Sequence, residues 1–273
     1  MKKFAAFITL LATLQIHAQW VQQNSNVSET LIDVCCISDD IVVVVGFNGV
    51  ILKTTDGGLN WIQKTSGTTN ALKRVQFVNA NVGYTVGENG TLLKTINGGE
   101  SWSTISTGDT AYLTGLSCLS ENTFYIAQDG GYVKKTINGG ASFDPVNPGD
   151  SGFRNDIQFL SETVGYANTS EGLYKTENGG NSWSLIYDEV FSIFFLDENI
   201  GFINASDGLS KTTDGGSNFI NLDYIPYGVG KLFATTPEIV WGVTRSFLLG
   251  GPTRYTMRGE ITDLGEFQRI DNS

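Results

Sequence analysis

Paired carboxylates hydrolyse glycosidic bonds when they face each other roughly 6.5–9.5 Å apart, and two aspartates here, Asp33 and Asp156, fall in one register of a repeating chain. Ser–His and Cys–His nucleophilic catalysis both need a histidine to take the proton. The one histidine, His17, sits in an N-terminal segment that reads as a removable leader. The mature chain therefore excludes that chemistry and His-ligated metals with it. The three cysteines, Cys35, Cys36 and Cys118, are an odd number without zinc-ligand spacing and make no disulfide framework. No metal and no cofactor is expected.

The leader is read from Lys2 and Lys3, an apolar run from Phe4 to Leu14, and Ala18 before the cut at Gln19. That run is well short of the ~20 residues that span a bilayer. Residues 1–18 are thus expected to be a signal peptide and 19–273 a single domain, destined for the periplasm or the extracellular medium. With 17 Lys and Arg against 28 Asp and Glu the net charge is −11, and loss of Lys2 and Lys3 makes it −13. Nucleic acid and anionic membranes need a basic face, so neither is an expected partner. No second long apolar run follows, and no membrane insertion is expected.

The element that positions any site is a repeat. One motif recurs five times: Thr54-Thr-Asp-Gly-Gly-Leu-Asn-Trp61, Thr95-Ile-Asn-Gly-Gly-Glu-Ser-Trp102, Thr136-Ile-Asn-Gly-Gly-Ala-Ser-Phe143, Thr176-Glu-Asn-Gly-Gly-Asn-Ser-Trp183 and Thr212-Thr-Asp-Gly-Gly-Ser-Asn-Phe219. The first glycines of the pairs are 41, 41, 40 and 36 residues apart. Asp or Asn can accept backbone N–H groups within its own turn, and Gly-Gly supplies the positive φ of a tight hairpin. Because Asp56 and Asp214 alternate with neutral Asn97, Asn138 and Asn178, the shared role is hydrogen-bond acceptance, not acid–base chemistry.

Ahead of each turn runs an apolar–Lys–Thr strand such as Gly90-Thr-Leu-Leu-Lys-Thr95, preceded by an apolar strand such as Val82-Gly-Tyr-Thr-Val-Gly87 and an alternating one such as Val75/Phe77. Four short strands in about 40 residues are the period of a propeller blade. The expected fold is all-β, a β-propeller of six four-stranded blades, with seven as the alternative count. The last unit is degenerate, and either Trp20-Val-Gln-Gln-Asn24, which resembles Trp61-Ile-Gln-Lys-Thr65, or the 267–270 segment is expected to close the ring. Cys36 and Cys118, two periods apart, are expected to be buried free thiols at equivalent positions.

In the repeat register Asp33, Arg74, Gly115, Asp156, Ser192 and Lys231 take equivalent places on the six innermost strands. Such positions can ring one mouth of a central channel. Asp33 and Asp156 would face each other across it, farther apart than a glycosidase pair. Asp33, Arg74, Asp156 and Lys231, with Tyr112 and Tyr227 near the starts of innermost strands, are therefore candidate binding residues, and no catalytic residue is expected.

The units resemble BNR/Asp-box repeats, the turn seen in sialidases, sortilin-type receptors and some large glucanases. The longer pattern, Val82-Gly-Tyr-Thr-Val-Gly87 followed by Gly90-Thr-Leu-Leu-Lys-Thr95 and Asn97-Gly-Gly-Glu-Ser-Trp102, is similar to the photosystem II stability/assembly-factor-like family of propellers. The resemblance implies an exported, non-enzymatic scaffold or assembly-factor-like monomer that recognises another protein or a peptide. Its sialidase and glucanase relatives imply the alternative of a carbohydrate-binding module or glycoside hydrolase. A sialidase site does not carry over: Arg74, Arg154, Arg245, Arg254, Arg258 and Arg269 include no Arg-Ile-Pro segment and crowd late in the chain. Nor does the chain show the arginine patch associated with the photosynthetic members, so photosystem assembly itself is not expected.

Overall fold

A computed structural model of the 273-residue chain describes residues 23–130, 132–146, 153–223, 229–246, 253–261 and 267–271. These form six four-stranded antiparallel sheets. Sheet one holds β1 (Leu31–Cys36), β2 (Val42–Gly46), β3 (Ile51–Thr54) and β4 (Ile62–Lys64). Sheet two holds β5 (Leu72–Phe77), β6 (Gly83–Gly87), β7 (Leu92–Thr95) and β8 (Ser103–Ile105). Sheet three holds β9 (Leu113–Cys118), β10 (Phe124–Gln128), β11 (Tyr132–Thr136) and β12 (Asp144–Pro145). Sheet four holds β13 (Phe153–Phe159), β14 (Gly165–Thr169), β15 (Gly172–Thr176) and β16 (Ser184–Asp188). Sheet five holds β17 (Val190–Phe195), β18 (Gly201–Ala205), β19 (Gly208–Thr212) and β20 (Ile220–Asp223). Sheet six holds β21 (Val229–Thr236), β22 (Ile239–Ser246), β23 (Thr253–Ile261) and β24 (Phe267–Asp271).

The first strands β1, β5, β9, β13, β17 and β21 contact one another in chain order, so each sheet stacks on the next. Of the two expected closing segments, 267–270 supplies the fourth strand of sheet six, and Trp20 lies outside the described residues.

The predicted turn is present in all five copies. The hydroxyl of Thr54, Thr95, Thr136, Thr176 or Thr212 accepts the N–H of the second glycine at 2.8–3.0 Å. The Asp56, Asn97, Asn138, Asn178 or Asp214 oxygen accepts an N–H four residues on at 2.8–3.0 Å. Both glycines of each pair have positive φ, which a side chain at either place would oppose.

Burial on both faces explains why the second strands, such as Val42–Gly46 and Phe124–Gln128, read as continuous apolar runs. Five apolar clusters lie at the five successive junctions between sheets. Their fit depends on a size exchange. Phe77, Phe159 and Phe195 lie over Gly83, Gly165 and Gly201, where an added Cβ would meet the ring at 2.7, 2.5 and 2.3 Å. Sheets one, three and six reverse or soften the pair, as Cys36–Val42, Cys118–Phe124 and Ala234–Val240. Two of these rings are in turn covered by a tyrosine of the preceding sheet: Tyr125 stacks on Phe159 and Tyr166 on Phe195, with centroids 3.4 and 3.6 Å apart.

The cysteines follow from this exchange, with one correction. Cys36 and Cys118 do hold equivalent places, and all three thiols are free. Cys118 is half-buried and desolvation pushes its thiol up, but Cys36 is exposed, not buried. It lies on the outer face of the first sheet, where Val34 is also 57% exposed.

The repeated lysines brace one sheet to the next. The amines of Lys53, Lys94, Lys135 and Lys175 lie 3.3–3.7 Å from the Cβ position of the first glycine in the following sheet's turn. Lys94 and Lys135 also lie 5.4 Å from the ring centroids of Tyr84 and Tyr125. Lys53 and Lys64 of sheet one both reach Glu100 of sheet two, at 2.6 and 2.7 Å.

Two outcomes test this packing. Gly201→Ala is expected to destabilise the protein by about 1–3 kcal/mol through overpacking. Combining Phe159→Cys with Gly165→Phe copies the arrangement of sheet three, and chemical denaturation is expected to show a cost at least ~1 kcal/mol below the sum of the single changes. Separately, hydrogen bonds from Lys53 and then Lys64 lower the Glu100 carboxyl from 4.5 to about 2. The stabilisation it gives is complete above its unfolded value and is lost as pH falls through its folded one. Scanning calorimetry is expected to show a small stability gap between wild type and Glu100→Gln near neutral pH, held down by solvent screening, that closes as the pH approaches about 2.

Candidate binding mouth

All six innermost strands break register at the same place. The shifts fall between Leu31 and Asp33, Leu72 and Arg74, Leu113 and Gly115, Phe153 and Asp156, Val190 and Ser192, and Val229 and Lys231. Each is a bulge that inserts an unpaired residue and bends the strand, a device that re-aims side chains beside binding sites. The inserted residues are Ile32, Lys73, Thr114, Phe191 and Gly230, with Arg154 and Asn155 together in sheet four.

The residues just beyond the bulges are those of the expected ring. They share one ladder position, opposite Val45, Val86, Ala127, Asn168, Asn204 and Val243. Their side chains do different things. Asp33 is half-buried and its Oδ2 accepts the Val75 N–H at 2.9 Å. Arg74 is half-buried and donates from a terminal nitrogen to the Lys73 carbonyl at 2.8 Å. Lys231 is exposed on β21. Asp156 is placed on β13, but its side chain lies outside the described residues, as does Tyr227 entirely.

The Asp33 bond belongs to a series. At every junction between successive sheets, a polar side chain of one innermost strand accepts an N–H from the next. Gln76 takes that of Cys118 at 2.8 Å, Ser117 that of Phe159 at 2.8 Å, Gln158 that of Phe195 at 2.9 Å and Ser192 that of Leu232 at 3.1 Å. Innermost strands have no ladder partner on the channel side, so these side chains satisfy backbone donors that would otherwise be orphaned. Asp33 is part of the frame.

The bulge of sheet two builds a cluster across three sheets. Its Lys73 amine stands 4.7 Å from the Phe47 ring centroid, 5.3 Å from that of Tyr112 and 3.9 Å from Glu88. Tyr112 is thus one of the expected residues that the structure joins to others. Nearby, Asp109 is held below the usual carboxylate range by Lys134, which hydrogen-bonds to it, with Gln128 donating as well. On the same edge an open cleft of about 870 Å³ is lined by polar residues including Asn48, Gln63, Ser66, Thr68 and Asn70. Phe191, the bulged residue of sheet five, is exposed.

Phe47, Lys73 and Phe191 were not among the expected residues. A signal for the two bulged residues, Lys73 and Phe191, was present: Leu31/Val34, Leu72/Val75, Leu113/Leu116 and Val190/Ile193 are apolar pairs three residues apart where a regular strand would space them by two. Among the described residues no group of three or more His, Cys, Asp or Glu could hold a metal.

Six four-stranded sheets stacked in sequence, the first five each carrying an Asp-box turn, define a six-bladed β-propeller. The family model for the photosynthesis system II assembly factor YCF48 matches residues 12–144 and 66–215, and the chain belongs to that family. Among solved structures it is similar to YCF48 bound to D1 peptide, at 19% identity and a TM-score of 0.71 over 91% of this chain and 84% of that one. YCF48 from Cyanidioschyzon merolae is similar at 18% identity and a TM-score of 0.72, over 93% and 88%. An ancestral GH74 enzyme is similar at 14% identity and a TM-score of 0.67, over 93% of this chain but 40% of that one. No curated protein matches the sequence.

The clasp reading has a direct test. Asp33→Ala is expected to lower stability by about 1–3 kcal/mol by stranding the Val75 N–H, while Asp33→Asn keeps an acceptor and most of the stability. Urea unfolding of the two variants separates them.

Proposed function

We propose that this protein is an exported, monomeric and non-enzymatic propeller that recognises a segment of another protein at the bulged mouth. The observation that carries the reading is the Phe47–Lys73–Tyr112 cluster, two aromatic faces and a cation gathered from three successive sheets by one bulge. Aromatic faces beside a charged group are the composition of interface hot spots, and the partly satisfied amine offers hydrogen bonds to a carboxylate or a backbone carbonyl. Two further facts support it: membership of an assembly-factor family, and the peptide bound to one similar propeller. The repeat's own polar residues are already engaged in turns, braces and clasps. Export rests on Lys2, Lys3 and the apolar run after them.

A second reading, carbohydrate binding, is favoured by the open polar cleft beside Asn48 and Asn70, whose amides and hydroxyls suit sugar hydroxyls. Both readings meet in one experiment. The wild type and a Phe47→Ala/Lys73→Ala/Tyr112→Ala variant are titrated against an array of peptides from the source organism's exported proteins and against a glycan array. Retention of a peptide by the wild type, with affinity reduced about tenfold or more in the variant, is the expected result. Equal binding by both proteins overturns the proposed surface. Retention of glycans alone transfers the function to the second reading.

A further inference from the structure

The junction between sheets four and five carries polar side chains where the first junction is apolar. Asn168, on β14, takes the ladder place held by Val45, Val86 and Ala127 in sheets one to three. Two residues before it, the Tyr166 ring stacks on Phe195 of sheet five, so strand alternation points the Asn168 amide into the same junction. Ser210, on β19, enters from the other wall. It pairs directly with Ile203, which packs with Tyr166 and Leu173 of sheet four, and directly opposed residues share a face. Ser210 stands two residues before the threonine of its turn, a place that Leu52, Leu93, Lys134 and Tyr174 take in sheets one to four. All four are longer than serine.

Both residues are sealed from solvent, at 0% exposure. Neither the oxygen nor the nitrogen of the Asn168 amide makes a hydrogen bond among the described residues, and the Ser210 oxygen makes none either. Tyr187, whose hydroxyl comes near Ser210, gives its proton to Asp207 at 2.7 Å instead. A side-chain amide has two donors and an acceptor with two lone pairs, and native structures pair nearly all such groups when they are buried. In the first junction the same two places hold Val45 and Leu93, which lie in one apolar cluster and ask for no partner. Asn168 and Ser210 replace that pair with an amide and a short hydroxyl. A polar, enclosed place lined by groups that lack partners is where proteins retain internal water.

We infer that an ordered water molecule is a fixed part of the junction between sheets four and five, held by the Asn168 amide and the Ser210 hydroxyl. It bridges the two sheets at the level where Val45 and Leu93 join sheets one and two by apolar contact. The site lies directly behind the mouth, because Asn168 is the ladder partner of Asp156 in the ring row.

High-resolution crystal structures of the wild type and of Asn168→Val/Ser210→Leu, which copies the first junction, test the assignment. The wild-type map is expected to show a water peak within about 2.7–3.2 Å of an Asn168 amide atom and of Ser210 Oγ, and the double variant to show none. In solution, NMR of asparagine-labelled wild type is expected to show cross-relaxation from water to the Asn168 side-chain amide protons, a readout that needs no substitution. A wild-type map without the peak, or one in which the Asn168 amide bonds to protein groups, overturns the inference. So does a peak that persists in the double variant, because other groups would then hold it.

Discussion

A phenylalanine on an innermost strand needs a hole on the strand beside it, and the glycine of the Val-Gly-Tyr motif is that hole. With a Cβ at Gly201 only 2.3 Å from the Phe195 ring, no other residue leaves the sheet undistorted. The ring so seated is flat enough for Tyr166 of the neighbouring sheet to stack on it at 3.6 Å. One volume exchange within a sheet thereby fixes the approach of the next sheet. The lysine braces, the Asp-box turns and the side-chain clasps all act at the distance that this exchange sets.

That arrangement also separates frame from function. The polar residues that recur most faithfully are absorbed by neighbouring backbone: threonine by the turn's own N–H, lysine by the next turn, Ser117 and Ser192 by the next innermost strand. Variation is left to the bulged position, where Ile32, Lys73, Thr114, Phe191 and Gly230 share no chemistry. A uniform scaffold whose bulged residues differ from blade to blade at one mouth suits recognition better than catalysis, which would need several groups held at fixed distances.

The fold was legible because its signals are local. Five copies of a glycine-paired turn at near-constant spacing report on backbone geometry that no partner can override, and the Asp/Asn alternation gave the acceptor role before any contact was known. The mouth was legible only in part. Register placed Asp33, Arg74 and Lys231 on one ladder row, but register says nothing of a side chain's direction, and Asp33 turned out to hold the Val75 N–H. Lys73 was overlooked because a bulge interrupts the period of two on which alternation arguments rest, although the three-residue apolar spacing marks it. Cys36 was misjudged for another reason: equivalence between repeats implies equal burial only where the neighbouring faces are equivalent too, and among the described residues the outer face of sheet one is the more exposed.

The size exchange has a consequence for how such a chain can change over evolutionary time. Repeats that look alike invite duplication, loss and recombination, yet these blades are no longer interchangeable. Sheet three carries its bulk on β10 as Phe124 opposite Cys118, while sheets two, four and five carry theirs on the innermost strand. The clasps sit one residue before the ring on some strands and three before it on others, as Gln76 and Ser192 show. A gene that gained or dropped one unit by slippage would bring together faces that were never fitted, so blade order has become a heritable constraint in its own right.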